Sequence, residues 1–117
     1  MSGFNGSMGV ISKQRQMVIL SLKKTGLGTP VISGSCASFC TITDNGVGDY
    51  TINFTQAPFA QVPEILVLSA TDSTIVRKGT VTALAAQILS DDASGTPAES
   101  DFDLLVIGSL ARDLVGP

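Results

Sequence analysis

The sequence predicts an all-β protein, an antiparallel β-sandwich or barrel. The chain has 117 residues, 44% of them apolar and 15% charged, which is enough to bury one core but not two. It contains 12 glycines and many serines and threonines, as is typical of short strands joined by turns. Apolar runs of strand length alternate with turn signals, and no long helical pattern is sustained.

The first 13 residues predict an N-terminal arm, since they are rich in Gly and Ser and their apolar residues show no period. Residues 14–117 are then expected to form a single β-sandwich domain. Its first strand candidate is the apolar run QMVILSLKK, which begins directly after Arg15. Within it, Met17 and Ile19 are predicted to lie in the core.

Two cysteines follow in the segment CASFC. If this segment is extended, the Cα atoms of Cys36 and Cys40 lie roughly 13 Å apart, too far for a disulfide. A turn would bring them together. We expect an extended segment and two free, packing thiols in a protein made in a reducing cytoplasm.

The clearest strand pattern lies in the middle of the chain. Asn45-Gly46 is a strong hairpin-turn signal, and the segment DYTINFT at 49–55 follows it. Tyr50, Ile52 and Phe54 alternate there with polar residues. This period of two predicts a half-buried strand with these three side chains in the core.

Pro58 and Pro63 predict a crossing loop after that strand, because proline does not fit inside a central strand. The next segment, ILVLSA at 65–70, is apolar on both faces and therefore predicts a strand covered on both sides. Residues 80–90 fit a helix as well as one or two strands. A turn-rich connection at 91–100 and a last strand at 101–109 complete the domain.

The composition excludes most enzyme chemistry. The chain has no His, which rules out His-based triads, acid–base pairs and metal sites, and two cysteines are too few for a zinc finger. The acidic pairs Asp91/Asp92 and Asp101/Asp103 lack the spacing of a calcium loop, and Asp91-Asp92 before Ala-Ser-Gly indicates turn chemistry instead. We therefore expect no enzyme activity, no metal and no cofactor.

The charges are distributed unevenly. Residues 1–43 carry four cationic side chains and no acid, whereas residues 44–117 carry three cations and ten acids, for a net charge of −3. The split indicates either an arm that docks on an acidic partner or an uneven solvated surface. The cations are too sparse for a nucleic-acid reader, and no apolar run approaches the length of about 20 residues needed to span a membrane. Neither nucleic acid nor membrane is expected as a partner.

Two segments carry a resemblance to a known family: ITDNGVGDYTINFTQAPFAQVPEILVLSA at 42–70 and ILSDDASGTPAESDFDLLVIGS at 88–109. They resemble the C-terminal β-sandwich domain of tailed-bacteriophage tail fibres, of the receptor-binding or head-decoration type. In that family a turn of the form TDNGxGDYT leads into a strand, a Pro-containing loop and a hydrophobic strand. The similarity extends over residues 15–109 and implies that Ala85–Ser90 is a strand.

The resemblance implies a small, jelly-roll-like antiparallel β-sandwich that assembles as a non-enzymatic homotrimer on the surface of a virion and is made in the host cytoplasm. Because only a short arm precedes the domain, we expect a trimeric decoration (cement) protein or a short head spike that contacts the major capsid protein. The alternative is a tail-fibre tip adhesin that binds a host-surface glycan or protein. A single Tyr and no Trp provide a poor stacking platform for sugars.

The arm supplies the candidate partner-binding residues. Phe4 and Ile11 would be buried by a capsid or a neighbouring subunit, and Lys13 and Arg15 would be attracted to an acidic surface. We expect this arm to be the anchor of the protein on the particle. The candidates for the seam of the trimer lie on the last strand: Leu104, Val106 and Ile107.

Overall fold

Strands dominate the computed structural model, which describes residues 17–55, 59–70 and 73–110. A 3₁₀ helix of one turn, Ser35–Phe39, lies between the second and third strands. Within the described ranges the strands, in chain order, are β1 (Met17–Thr25), β2 (Val31–Ser33), β3 (Thr41–Gly46), β4 (Asp49–Asn53), β5 (Glu64–Ala70), β6 (Thr74–Val81), β7 (Ala85–Asp92) and β8 (Phe102–Ser109).

The strands form two four-stranded sheets that pack face to face. The order in the first sheet is β2-β1-β8-β5, the order in the second is β3-β4-β7-β6, and every pair is antiparallel. Hairpins join β1 to β2, β3 to β4 and β6 to β7, and the chain crosses between the sheets after β2, β4, β5 and β7. The predicted small antiparallel β-sandwich is confirmed, with the eight strands in two sheets that a jelly roll also has.

The core lies between the sheets and follows the period of two along each strand. Tyr50, Ile52 and Phe54 are buried, as the alternation of the DYTINFT segment predicts. They pack against side chains of the first sheet, and the rings of Tyr50 and Phe102 meet edge to face at 5.7 Å. The fully buried apolar residues that complete this core include Leu22, Leu104, Val106, Ala86, Ile88 and Leu110.

The prediction that Met17 and Ile19 lie in the core is wrong. Their side chains are 65% and 68% exposed, because Leu20 and Leu22 occupy the inward positions of β1. Alternate residues of a strand face opposite sides of the sheet, and an uninterrupted apolar run does not show whether the odd- or the even-numbered residues face the core. In this strand the even-numbered residues face inward.

The alternation of inward and outward residues along β8 also changes the expected seam of the trimer. Leu104 and Val106 are each 1% exposed and belong to the core between the sheets. They are therefore unable to form a seam. Ile107 alternates with them and lies on the opposite, outer face of β8, where it is half-buried.

The ambiguous segment 80–90 is resolved in favour of strands. Ala86, Ile88 and Ser90 are fully buried and two residues apart, and β7 pairs with β4 on one side and β6 on the other. The strand implied for Ala85–Ser90 is confirmed. The helical spacing in this segment is a coincidence of its apolar residues.

The β3–β4 hairpin is confirmed, but it turns at Val47-Gly48, two residues after the predicted Asn45-Gly46. Asn45 remains at the end of β3, where its side-chain amide donates to Thr51 Oγ1 at 2.7 Å. Gly48 has a φ of +70°, a conformation that L side chains rarely adopt. A Cβ atom at this position would overlap the carbonyl oxygen of Ser90.

We predict that Gly48→Ala lowers the free energy of unfolding by about 2 kcal/mol or more, because the left-handed backbone and the overlap with β7 both oppose the methyl group. Gly28→Ala is the matched control, since no atom lies within 4 Å of its added Cβ and its φ is not in the left-handed region. Urea-induced unfolding measures both. Equal stabilities for the two variants would contradict the hairpin geometry.

Candidate interaction surface

The outer face of the second sheet is polar. On this face the side-chain amide of Gln87 donates to Asp49 Oδ1 at 3.1 Å. Arg77 and Asp91 form an ion pair at 3.3 Å between β6 and β7. Cross-strand polar pairs of this kind are typical of a sheet face that contacts water.

The outer face of the first sheet is different, because large apolar side chains from three adjacent strands meet on it. The strand register pairs Ile19 with Ile107, and Leu105 with Leu66. A contiguous apolar patch on a soluble protein marks an interaction site. We call the following set the apolar face: Met17 and Ile19 of β1, Leu105 and Ile107 of β8, and Leu66 and Leu68 of β5.

In strand β5 the residues of the apolar face are exposed to solvent. The apolar run 65–70 predicts a strand covered on both sides, yet within one chain only the inner face is covered. Ile65 is buried, whereas Leu66 and Leu68 are 44% and 56% exposed. The prediction is therefore wrong for a single chain. β5 is also an edge strand of its sheet, and a bulge between Val67 and Ser69 interrupts its pairing with β8.

An open depression of about 220 Å³ lies on the same side of the first sheet. Ser33 and Gly34 line it at one end and Leu68 at the other, with Lys23 and Asp103 between them. Lys23 Nζ and Asp103 Oδ1 form an ion pair at 3.1 Å, so these two charges balance. Small-molecule sites have volumes of roughly 300–1,000 Å³, and this depression is smaller than that range.

Lys24 points in the opposite direction from Lys23 and is fully buried between the sheets. Its ammonium Nζ donates to the carbonyl oxygen of Ser100 at 2.7 Å and to the hydroxyl of Tyr50 at 3.3 Å. It also lies 4.4 Å from the centre of the Tyr50 ring and 3.7 Å from Asp101 Oδ1. A buried cation requires such oxygen atoms and ring faces to replace its hydration.

The Tyr50 hydroxyl continues this cluster by donating to the Glu99 carboxylate. Burial, and then the neighbouring Glu99 carboxylate, raise the pKa of Tyr50 above its ordinary value. The cluster contains an amine, a phenol and carboxylates, yet the amine has no exposed surface that a substrate would reach. We therefore interpret it as a structural joint between the sheets rather than as a catalytic centre.

The burial of Lys24 is the main feature that reasoning from the sequence missed. Its signal was present in β1, because the inward period of Leu20 and Leu22 continues to position 24. The buried hydroxyl of a core tyrosine requires a hydrogen-bond partner. A lysine at an inward position of a nearby strand therefore indicates a buried polar contact between the sheets.

The acidic pairs do not come together as a metal site. Asp92 Oδ1 accepts the backbone N–H groups of Ser94 and Thr96 at 2.9 and 3.0 Å, which is the predicted turn chemistry. These backbone donors lower the pKa of the Asp92 carboxyl. In the described ranges no group of three or more Cys, Asp or Glu side chains is placed to hold a metal ion. The same ranges contain no helix with the length and apolarity that crossing a bilayer requires.

The expectation of an extended CASFC segment is wrong. Cys36 lies in the 3₁₀ turn and Cys40 directly follows it, so the two sulfur atoms lie 3.6 Å apart. Both thiols are buried and free. The turn that the sequence left open as an alternative is the one that forms.

The candidate residues of the arm, Phe4, Ile11, Lys13 and Arg15, lie outside the described residues. Their role in partner binding stays a prediction. No protein-family model matches the chain, and no curated protein or solved structure is significantly similar to it. Its function has to be argued from its own residues and surfaces.

We predict that Lys24→Met lowers the free energy of unfolding by about 3 kcal/mol or more, because the buried oxygen atoms around the ammonium lose their donor. Lys23→Met is the matched control on the same strand. It removes only an exposed ion pair and should change the free energy by about 1 kcal/mol or less. Urea unfolding of both variants checks this, and equal effects would show that the buried joint does not hold the sheets.

Proposed function

We propose that the protein is a non-enzymatic structural component of a tailed-bacteriophage virion, a trimeric decoration (cement) protein or a short head spike on the particle surface. The observation that carries the proposal is the apolar face of the first sheet, with Met17, Ile19, Leu66 and Leu68 exposed on a small single-domain chain. Such a face promotes aggregation of an isolated protein, whereas in a specific assembly it is buried and contributes to association. The major capsid protein is the expected partner on the particle.

A second copy of the same chain is the occupant that we propose for the apolar face. A sandwich of this size has limited apolar burial of its own, and association of three copies adds to it. The acids beside the face are balanced, Asp103 by Lys23 at 3.1 Å and Glu64 by Lys78 at 3.9 Å. Among the described residues, copies that meet on this face therefore bring no uncompensated acid together.

The virion context comes from the resemblance to tail-fibre domains, whose motifs fall on the following elements of the fold. The TDNGVGDYT motif at 43–51 covers the end of β3, its hairpin turn and the start of β4. The hydrophobic run at 65–70 is β5. The Asp-Ala-Ser-Gly segment at 92–95 is the turn between β7 and β8. These are the places that the family layout assigns to a turn and its strands.

The distribution of aromatic rings favours decoration over a glycan-binding tip. Sugar recognition commonly uses an exposed ring as a stacking platform. In the described part of the chain the rings lie inside the molecule: Tyr50, Phe54, Phe59 and Phe102 are buried, and Phe39 is half-buried. A tail-fibre tip that binds a host-surface receptor is the alternative, and copy number on the particle separates the two functions.

We predict that the protein is a trimer and that Leu66→Asp converts it to a monomer, because three buried carboxylates on the apolar face would oppose association. Ile75→Asp is the matched control, since Ile75 is 58% exposed on the outer face of the other sheet. Light scattering at micromolar concentration should give three times the 12.0 kDa chain mass for the native protein and the control. A native monomer would contradict the trimer, and a trimeric Leu66→Asp variant would place the seam elsewhere.

We predict that quantitative mass spectrometry of purified phage particles finds the protein in many copies, as expected for a decoration protein. A few copies per particle would favour the fibre tip, and absence from particles would overturn the virion assignment.

Deletion of residues 1–12 tests the proposed anchor. The truncated chain should remain trimeric and disappear from particles, whereas normal occupancy would exclude the arm as the anchor.

A further inference from the structure

The crossing from the first sheet to the second brings two thiols into contact. The chain leaves β2, forms the 3₁₀ turn Ser35–Phe39 and enters β3. Cys36 Sγ and Cys40 Sγ lie 3.6 Å apart, and Cys40 Sγ donates to the Cys36 carbonyl oxygen at 3.0 Å. Cys36 is 1% exposed and Cys40 is 7% exposed. The two sulfur atoms are therefore each other's neighbours inside the core.

The turn is attached to β1, which fixes the thiols in place. Ser35 Oγ accepts the backbone N–H of Ser21 at 2.8 Å, and the two serine hydroxyls lie 3.3 Å apart. A disulfide has an S–S distance of about 2.05 Å, so the sulfur atoms have to approach by about 1.5 Å. Side-chain rotation within a short turn provides movements of that size.

We infer that Cys36 and Cys40 form a redox-active pair that closes a reversible disulfide across this turn. The oxidant is a low-molecular-weight disulfide such as oxidised glutathione. This inference does not depend on the proposed function, since it uses only the geometry of the turn.

The two thiols have different roles in the exchange. Cys40 is the more exposed of the two thiols, at 7% against 1% for Cys36, and is therefore the one that the oxidant reaches first. The Cys40 thiolate attacks one sulfur of oxidised glutathione, which breaks the glutathione S–S bond and releases one glutathione. Cys36 then attacks Cys40 Sγ and releases the second glutathione. The two released thiols take up the two protons, and two electrons pass from the cysteines to glutathione.

The disulfide would act as a staple at the place where the chain changes sheets. Under reducing conditions the pair remains as the two free thiols of the present structure. Under oxidising conditions, such as those outside a cell, the bond closes. The protein then gains a covalent constraint without a change in its surface, because both sulfur atoms are already inside.

The experiment equilibrates the full-length chain with mixtures of reduced and oxidised glutathione, once in native buffer and once in urea. Acid quenching and alkylation of remaining thiols separate the forms by mass, and the bridged form is lighter by about 2 Da and takes no alkylating reagent. We expect the folded chain to be half bridged at a glutathione ratio at least about tenfold more reducing than the unfolded chain requires, since folding holds the thiols in contact. Cys36→Ser and Cys40→Ser should each abolish the bridged form.

A second measurement on the native protein does not depend on any variant. By linkage, the bridged protein should unfold at a temperature several degrees above that of the reduced protein. The inference is overturned if folding gives no advantage to bridging. It is also overturned if glutathione adducts or disulfide-linked dimers form instead of the internal bond.

Discussion

The ammonium group of Lys24 is the constraint on which the alignment of the two sheets depends. Apolar contacts supply most of the free energy of folding, but they are not directional and tolerate small shifts of one sheet over the other. The buried cation is less tolerant, because it requires the Ser100 carbonyl, the Tyr50 hydroxyl and Asp101 at fixed places around it. These groups come from β4 and from the segment before β8, so one charge ties both sheets and their connection together.

The outer faces of the two sheets differ in polarity. The outer face of the second sheet carries cross-strand polar pairs such as Gln87 with Asp49, as is typical of a face that contacts water. The first sheet has apolar residues on both faces. This difference accounts for the departure of β1 and β5 from simple alternation. Their inner residues form the core, and their outer residues belong to the apolar face that we propose a second copy covers.

Sequence patterns predicted β4, whose residues alternate cleanly, and β8, an apolar run that follows a turn-rich connection, together with the fold class that they belong to. They failed for Met17 and Ile19, because a continuous apolar run does not state which parity faces inward. They predicted the β3–β4 hairpin but neither the position of its turn nor the extent of β3, since the exposed and half-buried residues 41–46 are strand only by pairing with β4. The burial of Lys24 and the contact of the two thiols were missed for a related reason. The inward period of β1 does continue to Lys24, but the oxygen atoms that bind it come from β4 and from the segment before β8, and the contact of the two thiols depends on a local turn that leaves no period in the chain.

The edges of the first sheet determine what kind of assembly its apolar face can make. β2 is only three residues long, and the bulge between Val67 and Ser69 interrupts the regular ladder of β5. Short and bulged edges are poor templates for adding another strand, which is the contact that grows without limit into fibrils. In the proposed assembly, copies would therefore meet on their apolar faces rather than add strands at their edges, and such contacts can close after a fixed number of subunits. This arrangement would let a protein expose an apolar surface at high local concentration without growing into a filament.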